Sequence, residues 1–229
     1  MIKPTMKNFQ KLFLLLFSMA LLTLSQGLQA RLNIEIAGGV EGGLPIAIVP
    51  FAWTGVGAVP EQMGDIVKND LARSGQFTPL DTDKMMGSPS SGKMIDFSLW
   101  RRTGIDNIVV GKLLQKGDDD FVVQFQLFDI HRAIQLSGYS IPSSRALLRQ
   151  TAHQISDLIY EKLTGVKGAF TTRITYVMVD NVEQQKSYRI AVADSDGFNE
   201  QIILSSAAPL MSPSWSADGT QLAYVSFES

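Results

Sequence analysis

The residues able to do chemistry are few and scattered. No cysteine occurs among the 229 residues, which removes thiol nucleophiles, disulfides and thiolate metal sites. The two histidines, His131 and His153, fall in different expected elements, and no Gly-x-Ser-x-Gly elbow occurs to supply a nucleophilic serine. Asp118-Asp119-Asp120 offers three carboxylates, but without the alternating ligands and terminal glutamate of a calcium loop it reads as a solvated hairpin turn. Gly55-Val56-Gly57 lies between an expected strand and an expected helix, the setting of a dinucleotide-binding turn. Pro60 stands where the third glycine belongs, and no supporting acidic residue follows the next strand, so the segment reads as a tight turn. No catalytic, cofactor-binding or metal-binding residue is assigned on these grounds, and the expected class is a binding protein rather than an enzyme.

The start of the chain says where such a protein works. Lys3, Lys7 and Lys11 precede the apolar run Leu12 to Leu24, followed by the small and polar stretch Ser25 to Ala30, which are the three regions of a secretory signal. At ~1.5 Å per residue that run covers roughly 20 Å, short of the ~30 Å hydrocarbon core that a permanent anchor must cross. Cleavage is expected between Ala30 and Arg31, giving an exported, soluble, periplasmic chain. An uncleaved anchor is the alternative; a lipoprotein lacks the cysteine it would need. Removal of the leader leaves 17 basic against 22 acidic side chains, so the basic footprint of a nucleic-acid binder is missing.

Hydrophobic periodicity then divides the mature chain. Arg31 to Ile36 alternates in part and runs into a four-glycine stretch, Gly38-Gly39-Val40-Glu41-Gly42-Gly43, so residues 31–43 read as a strand-capable peptide on a flexible hinge. Residues 44–166 carry the pattern of an α/β domain with two main helices on a mixed sheet of about five strands. The strands are Ile46 to Phe51, Phe77 to Leu80, Ile105 to Leu114, Phe121 to Ile130 and Gln135 to Ile141. One helix is expected from Pro60 to Gly75, with Pro60 and Glu61 in its first turn. The other is capped by Ser144, carries Leu147, Leu148, Ile155, Leu158, Ile159 and Leu163 on its stripe, and ends at Gly165. Between them Asp96 is expected to cap a short helix closed by Gly104. From residue 167 to 229 the helical period stops, and short strands recur about every ten residues, the spacing of an all-β propeller or sandwich.

The sharpest local pattern is Pro209-Leu-Met-Ser-Pro-Ser-Trp-Ser-Ala-Asp-Gly-Thr-Gln-Leu-Ala-Tyr-Val225: a strand ending at Trp215, a tight Asp218-Gly219 turn and a returning strand. It resembles the repeat of TolB-type propellers, in which the tryptophan packs between blades. Further stretches strengthen the likeness, namely Pro45 to Trp53, Asp70 to Phe77, Gly104-Ile-Asp106 before Val109-Val-Gly111, and Glu161 to Phe170. From Arg31 to Ser229 the chain resembles the TolB family of the Gram-negative Tol-Pal system.

That resemblance implies an α/β domain followed by a six-bladed propeller, of which this chain holds strands for one blade and the first strand of a second. A truncated product is therefore expected, with open strand edges and a protease-sensitive stretch from Gly168 to Ser229. The resemblance also implies a periplasmic scaffold between inner-membrane TolA and the outer-membrane lipoprotein Pal, serving outer-membrane integrity and constriction during division. It allows other outer-membrane proteins as partners, and colicin import in some relatives. By the same resemblance the TolA-binding segment is Arg31, Leu32, Asn33, Ile34, Glu35, Ile36, Ala37, Gly38, Gly39, Val40, Glu41, Gly42 and Gly43. The chain departs from the family at Ala37, where an acidic residue is common, so one polar contact is not carried over. The resemblance places Pal recognition mainly on later blades, so Pal binding that is weak or absent is expected. The alternatives are an ordinary N-terminal edge strand for the segment, and a ligand-binding or hydrolytic propeller protein for the whole.

Overall fold

The structure, a computed structural model, describes residues 42–182 and 185–228. The expected leader, its cleavage site at Ala30 and Arg31, and residues 31–41 of the partner-binding segment lie outside the described residues. The chain enters the fold through two glycines with different jobs. Gly42 has φ +86° and open space around it, whereas a Cβ on Gly43 would stand 2.7 Å from the backbone carbon of Phe77. Gly43 is therefore a close-packing glycine, already built into the sheet.

The first part is a mixed sheet with helices. In chain order its elements are β1 (Leu44–Ile48), β2 (Ala52–Thr54), α1 (Met63–Arg73), β3 (Phe77–Pro79), α2 (Phe97–Trp100), β4 (Asn107–Gln115), β5 (Asp120–Asp129), β6 (Ile134–Ser144) and α3 (Leu148–Thr164). The strand order is β3-β1-β4-β5-β6, with β2 pairing β4 beyond the end of β1. β1 is parallel to both β3 and β4, while β4, β5 and β6 form an antiparallel meander. One face carries Ile46, Ile48, Val109, Leu113, Phe121, Val123, Phe125 and Leu127 against Val67 and Leu71 of α1 and Ile155 and Ile159 of α3. The opposite face buries Ala47, Val49, Ile108 and Val110 beneath Ile95, Trp100 and Ile105. Successive residues of β4 thus serve two cores, which is why its apolar run is nearly continuous, whereas β5 mostly alternates buried and more exposed positions.

Several boundaries differ from the sequence reading. Ile46 to Phe51 is not one strand: Pro50 has no N–H for the ladder, and the chain breaks there before resuming as β2. The Phe51 ring folds over Gly111, where a Cβ would lie 2.5 Å from it. Helix α1 starts only at Met63, leaving Pro60 and Glu61 outside it. Ser144 does not cap the long helix; it remains in β6 opposite Asp120, and a 3-10 turn over Arg145–Leu147 intervenes before α3. Leu147, expected on the buried stripe, consequently precedes the helix and is half exposed. Other signals read as written. Asp96 caps α2 by accepting from the Ser98 and Leu99 N–H groups, and Gly104 and Gly165 close their helical segments in the left-handed conformation.

The second part is all antiparallel strand. β7 (Arg173–Val182), β8 (Gln185–Asp194) and β9 (Gln201–Ser206) form one sheet, and β10 (Leu210–Trp215) with β11 (Leu222–Ser226) another. Ile190, Ala191, Ala193 and Leu210 are buried, while Ile203, Val225 and Phe227 are exposed. The structure places Trp215 at the end of β10, with the Arg173 guanidinium 5.2 Å from its ring centre.

Asp218 and Gly219 form the β10–β11 turn, and Gly219 has φ +69°. The Asp218 carboxylate accepts from the Ser216 hydroxyl at 2.5 Å, the Thr220 N–H at 3.1 Å and the Thr220 hydroxyl at 2.8 Å. The Ser216 hydroxyl first, then the two Thr220 donors, hold this carboxyl down at about 2. A folded value below the unfolded ~3.9 means the turn contributes stability above that range and loses it as pH falls through the folded value. An NMR titration of the Asp218 carboxyl carbon is expected to show a midpoint near 2; a midpoint near ~3.9 would show that these donors do not hold it.

Candidate functional site

The densest polar arrangement lies where the two parts meet. Along α1, Asp70 sits between Val67 and Leu71 on the buried face, and along α3, His153 and Ser156 share a face with Ala152, Ile155 and Ile159. Packing the two helices together closes a buried hydrogen-bonded group. Asp70 Oδ2 lies 2.7 Å from His153 Nδ1 and 2.7 Å from the Ser156 hydroxyl, while Oδ1 accepts from Arg73 Nη2 at 2.9 Å. An ionised carboxylate only accepts, so Nδ1 carries a hydrogen, and Nε2 faces the other side. Asp70 and His153 are 1% and 2% exposed, and Ser156 is fully buried.

The far side of His153 faces the β8–β9 turn, Asp194-Ser195-Asp196-Gly197-Phe198-Asn199. Asp194 and Asn199 close this turn through a side-chain bond of 2.9 Å, and Gly197 supplies a left-handed residue. Arg149 of α3 donates to Asp196 Oδ2 and lies 4.0 Å from the centre of the Phe198 ring. Burial alone would raise the Asp196 carboxyl. The Phe198 N–H, Arg149 and His153 outweigh it and bring the group below its ordinary value.

A second tie runs through residues 168–171. Asp157 of α3 accepts from the N–H of Phe170 at 2.7 Å and from the N–H and hydroxyl of Thr171 at 3.2 and 2.7 Å. Gly168 passes so close that a Cβ would stand 2.3 Å from Asp157 Oδ1. The Phe170 ring meets Tyr160 edge-on at 5.7 Å, and its carbonyl accepts from the Ser195 hydroxyl at 2.7 Å. Helix α3 therefore holds both the connecting peptide and the β8–β9 turn.

This arrangement is a junction, not a nucleophile site. Ser156 donates to the same carboxylate oxygen that His153 uses and lies wholly buried, so the histidine is not its base. Elsewhere, His131 Nε2 stands 3.1 Å from Asp106 on the surface. Asp118 to Asp120 lie at the β4–β5 turn, where Arg145 meets the Asp118 carbonyl and the Asp119 carboxylate. Gly55 to Gly57 form a loop closed by Trp53 Nε1 donating to the Gly57 carbonyl at 3.0 Å. None of these is brought to the junction. Asp70, Arg73, Arg149, Ser156, Asp194 and Asp196 were not foreseen. The available signal was polar residues on otherwise apolar helix faces, at Asp70 and at the 153/156 pair.

An α/β domain whose long helix grips the β8–β9 turn of an antiparallel strand array has the form of an N-terminal domain docked on the start of a propeller. Family comparison gives the particular group: residues 32–136 match the TolB amino-terminal domain and residues 160–229 the TolB beta propeller domain, and the chain belongs to the TolB family. It is similar to the Tol-Pal system protein TolB of Thioalkalivibrio sulfidiphilus, at 50% identity over 88% of this chain and 47% of the relative. It is likewise similar to the protein of that name from Hamiltonella defensa, at 40% identity over 99% of this chain and 51% of the relative. Among solved structures, the crystal structure of TolB from Acinetobacter baumannii matches with TM-score 0.70 and 34% identity, over 85% of this chain and 47% of that one. The chain spans about half the length of the curated relatives it matches. No helix among the described residues is long and apolar enough to cross a membrane.

Proposed function

We propose that this chain is a non-enzymatic component of the Tol-Pal system that works in the periplasm as an adaptor between TolA and Pal. In this reading residues 31–43 are the TolA-binding segment, the leader is cleaved after Ala30, and the adaptor serves outer-membrane integrity and constriction during division. Membership of the TolB family and the curated relatives' name support the Tol-Pal role. The n-, h- and c-region pattern of the first thirty residues supports export.

The observation that carries the segment assignment is the way the chain joins the sheet. Gly42 is exposed and left-handed with open space around it, while Gly43 is locked against Phe77 and Leu44 N–H donates to the Gln76 carbonyl at 2.8 Å. The alternation of Leu32, Ile34 and Ile36 suits addition to the edge of a partner sheet, where main-chain hydrogen bonds supply affinity and alternate side chains specificity. The test compares the intact mature chain with one beginning at Gly42 for capture by the third domain of TolA. Loss of capture with an unchanged circular dichroism spectrum is expected; equal capture by both would overturn the assignment.

The buried junction gives the adaptor its rigidity. A partner-binding peptide transmits little unless the body behind it moves as a unit, and the ties of α3 to residues 168–171 and to the β8–β9 turn make the two parts such a unit.

A further inference from the structure

We propose that His153, Asp194 and Asp196 form a binding site for a divalent transition-metal ion, which would staple helix α3 to the β8–β9 turn. Each residue offers one ligand atom, and the three atoms all lie within 4.8 Å of one another. His153 Nε2 is buried without a hydrogen-bond partner and points at the acidic turn, 3.8 Å from Asp196 Oδ2. That separation is too long for a hydrogen bond. It is close to the ~3.4 Å between two ligands on a tetrahedral ion with bonds of about 2.1 Å, so a small shift seats an ion between them.

The surroundings are those of a supported ligand. Nδ1 is bonded to Asp70, whose carboxylate is itself fixed by Ser156 and Arg73. A carboxylate behind a histidine sets its tautomer and leaves Nε2 free to ligate. A cavity of about 400 Å³, lined by Arg149, Gln150, His153, Thr171, Thr172 and Asp194, adjoins the cluster and has room for water in the remaining positions. One imidazole and two carboxylates suit zinc, cobalt, nickel or manganese rather than calcium.

Arg149 is the competitor. Its guanidinium pairs with Asp196 Oδ2, so an ion must displace it; the Phe198 ring, 4.0 Å away, keeps a second seat for the cation. This competition gives the proposal a signature that a purely structural ion-pair role lacks, because removing Arg149 should strengthen metal binding.

The test titrates zinc sulfate into the full chain, followed by the imidazole nitrogen resonances of the two histidines, with cobalt chloride absorption as a second readout. Expected are a large shift of His153 Nε2 with Nδ1 still protonated, an unmoved His131, and one ion per chain. Asp196→Asn should abolish the shift, Asp70→Asn should weaken binding by about 10–100-fold, and Arg149→Ala should tighten it. No shift of His153 Nε2 in the unmodified protein at millimolar zinc would overturn the proposal, whatever the stability of the variants. Unchanged or weaker binding by a folded Arg149→Ala chain would overturn it too.

Discussion

Replacing Asp70 by alanine is expected to cost about 3–5 kcal/mol of folding stability, the usual consequence of removing one partner from a buried charged group. The carboxylate satisfies three donors at once: His153 Nδ1, the Ser156 hydroxyl and Arg73 Nη2. Alanine leaves His153 Nδ1 buried without an acceptor, leaves the Ser156 hydroxyl only the Ala152 carbonyl at 3.1 Å, and removes the group that fixes the His153 ring. For a chain of this size the thermal midpoint should fall by roughly 10 °C or more. Asp70→Asn, which keeps the shape and one carbonyl acceptor, should lose less. Calorimetric unfolding of the three proteins orders them directly; an Asp70→Ala midpoint within a degree or two of the parent would show that the network is incidental to stability.

The second large effect is expected at Phe170. Its ring closes the core between Tyr160 and the helix face, and its own backbone bonds Asp157 on one side and Ser195 on the other. Phe170→Ala should cost about 3–5 kcal/mol through lost transfer energy and the cavity left behind. Because the backbone ties remain, the loss should be local before it is global. Brief proteolysis should then cut the peptide around residues 167–172 faster than in the parent, while the β4–β5–β6 meander stays protected. Cleavage at an unchanged rate would mean that the backbone bonds, not the ring, hold the two parts together.

Much of the fold was legible because its signals are local. The alternation in β5, the caps at Asp96 and Gly165, and the Asp218-Gly219 turn each follow from chemistry within a few residues. Boundaries failed where a tertiary partner decided them. Ser144 looks like a helix cap, but its pairing with Asp120 keeps it in a strand, and Pro50 cuts an apolar run that periodicity alone joins. The junction was illegible for a plainer reason. Asp70 and His153 are 83 residues apart, and no spacing rule connects them. Each looks like an isolated polar residue on an apolar stripe, and only helix packing turns two exceptions into one network. The partner-binding segment was the reverse case, argued from residues 31–43 and a family resemblance.

The most direct test of the adaptor reading uses that segment alone. A synthetic peptide of residues 31–43 should compete with the intact mature chain for the third domain of TolA, displacing it fully as peptide concentration rises, while a peptide with Leu32, Ile34 and Ile36 changed to serine should not. If saturating peptide leaves the complex of chain and TolA domain intact, residues 31–43 are not what TolA holds, and the adaptor reading is contradicted.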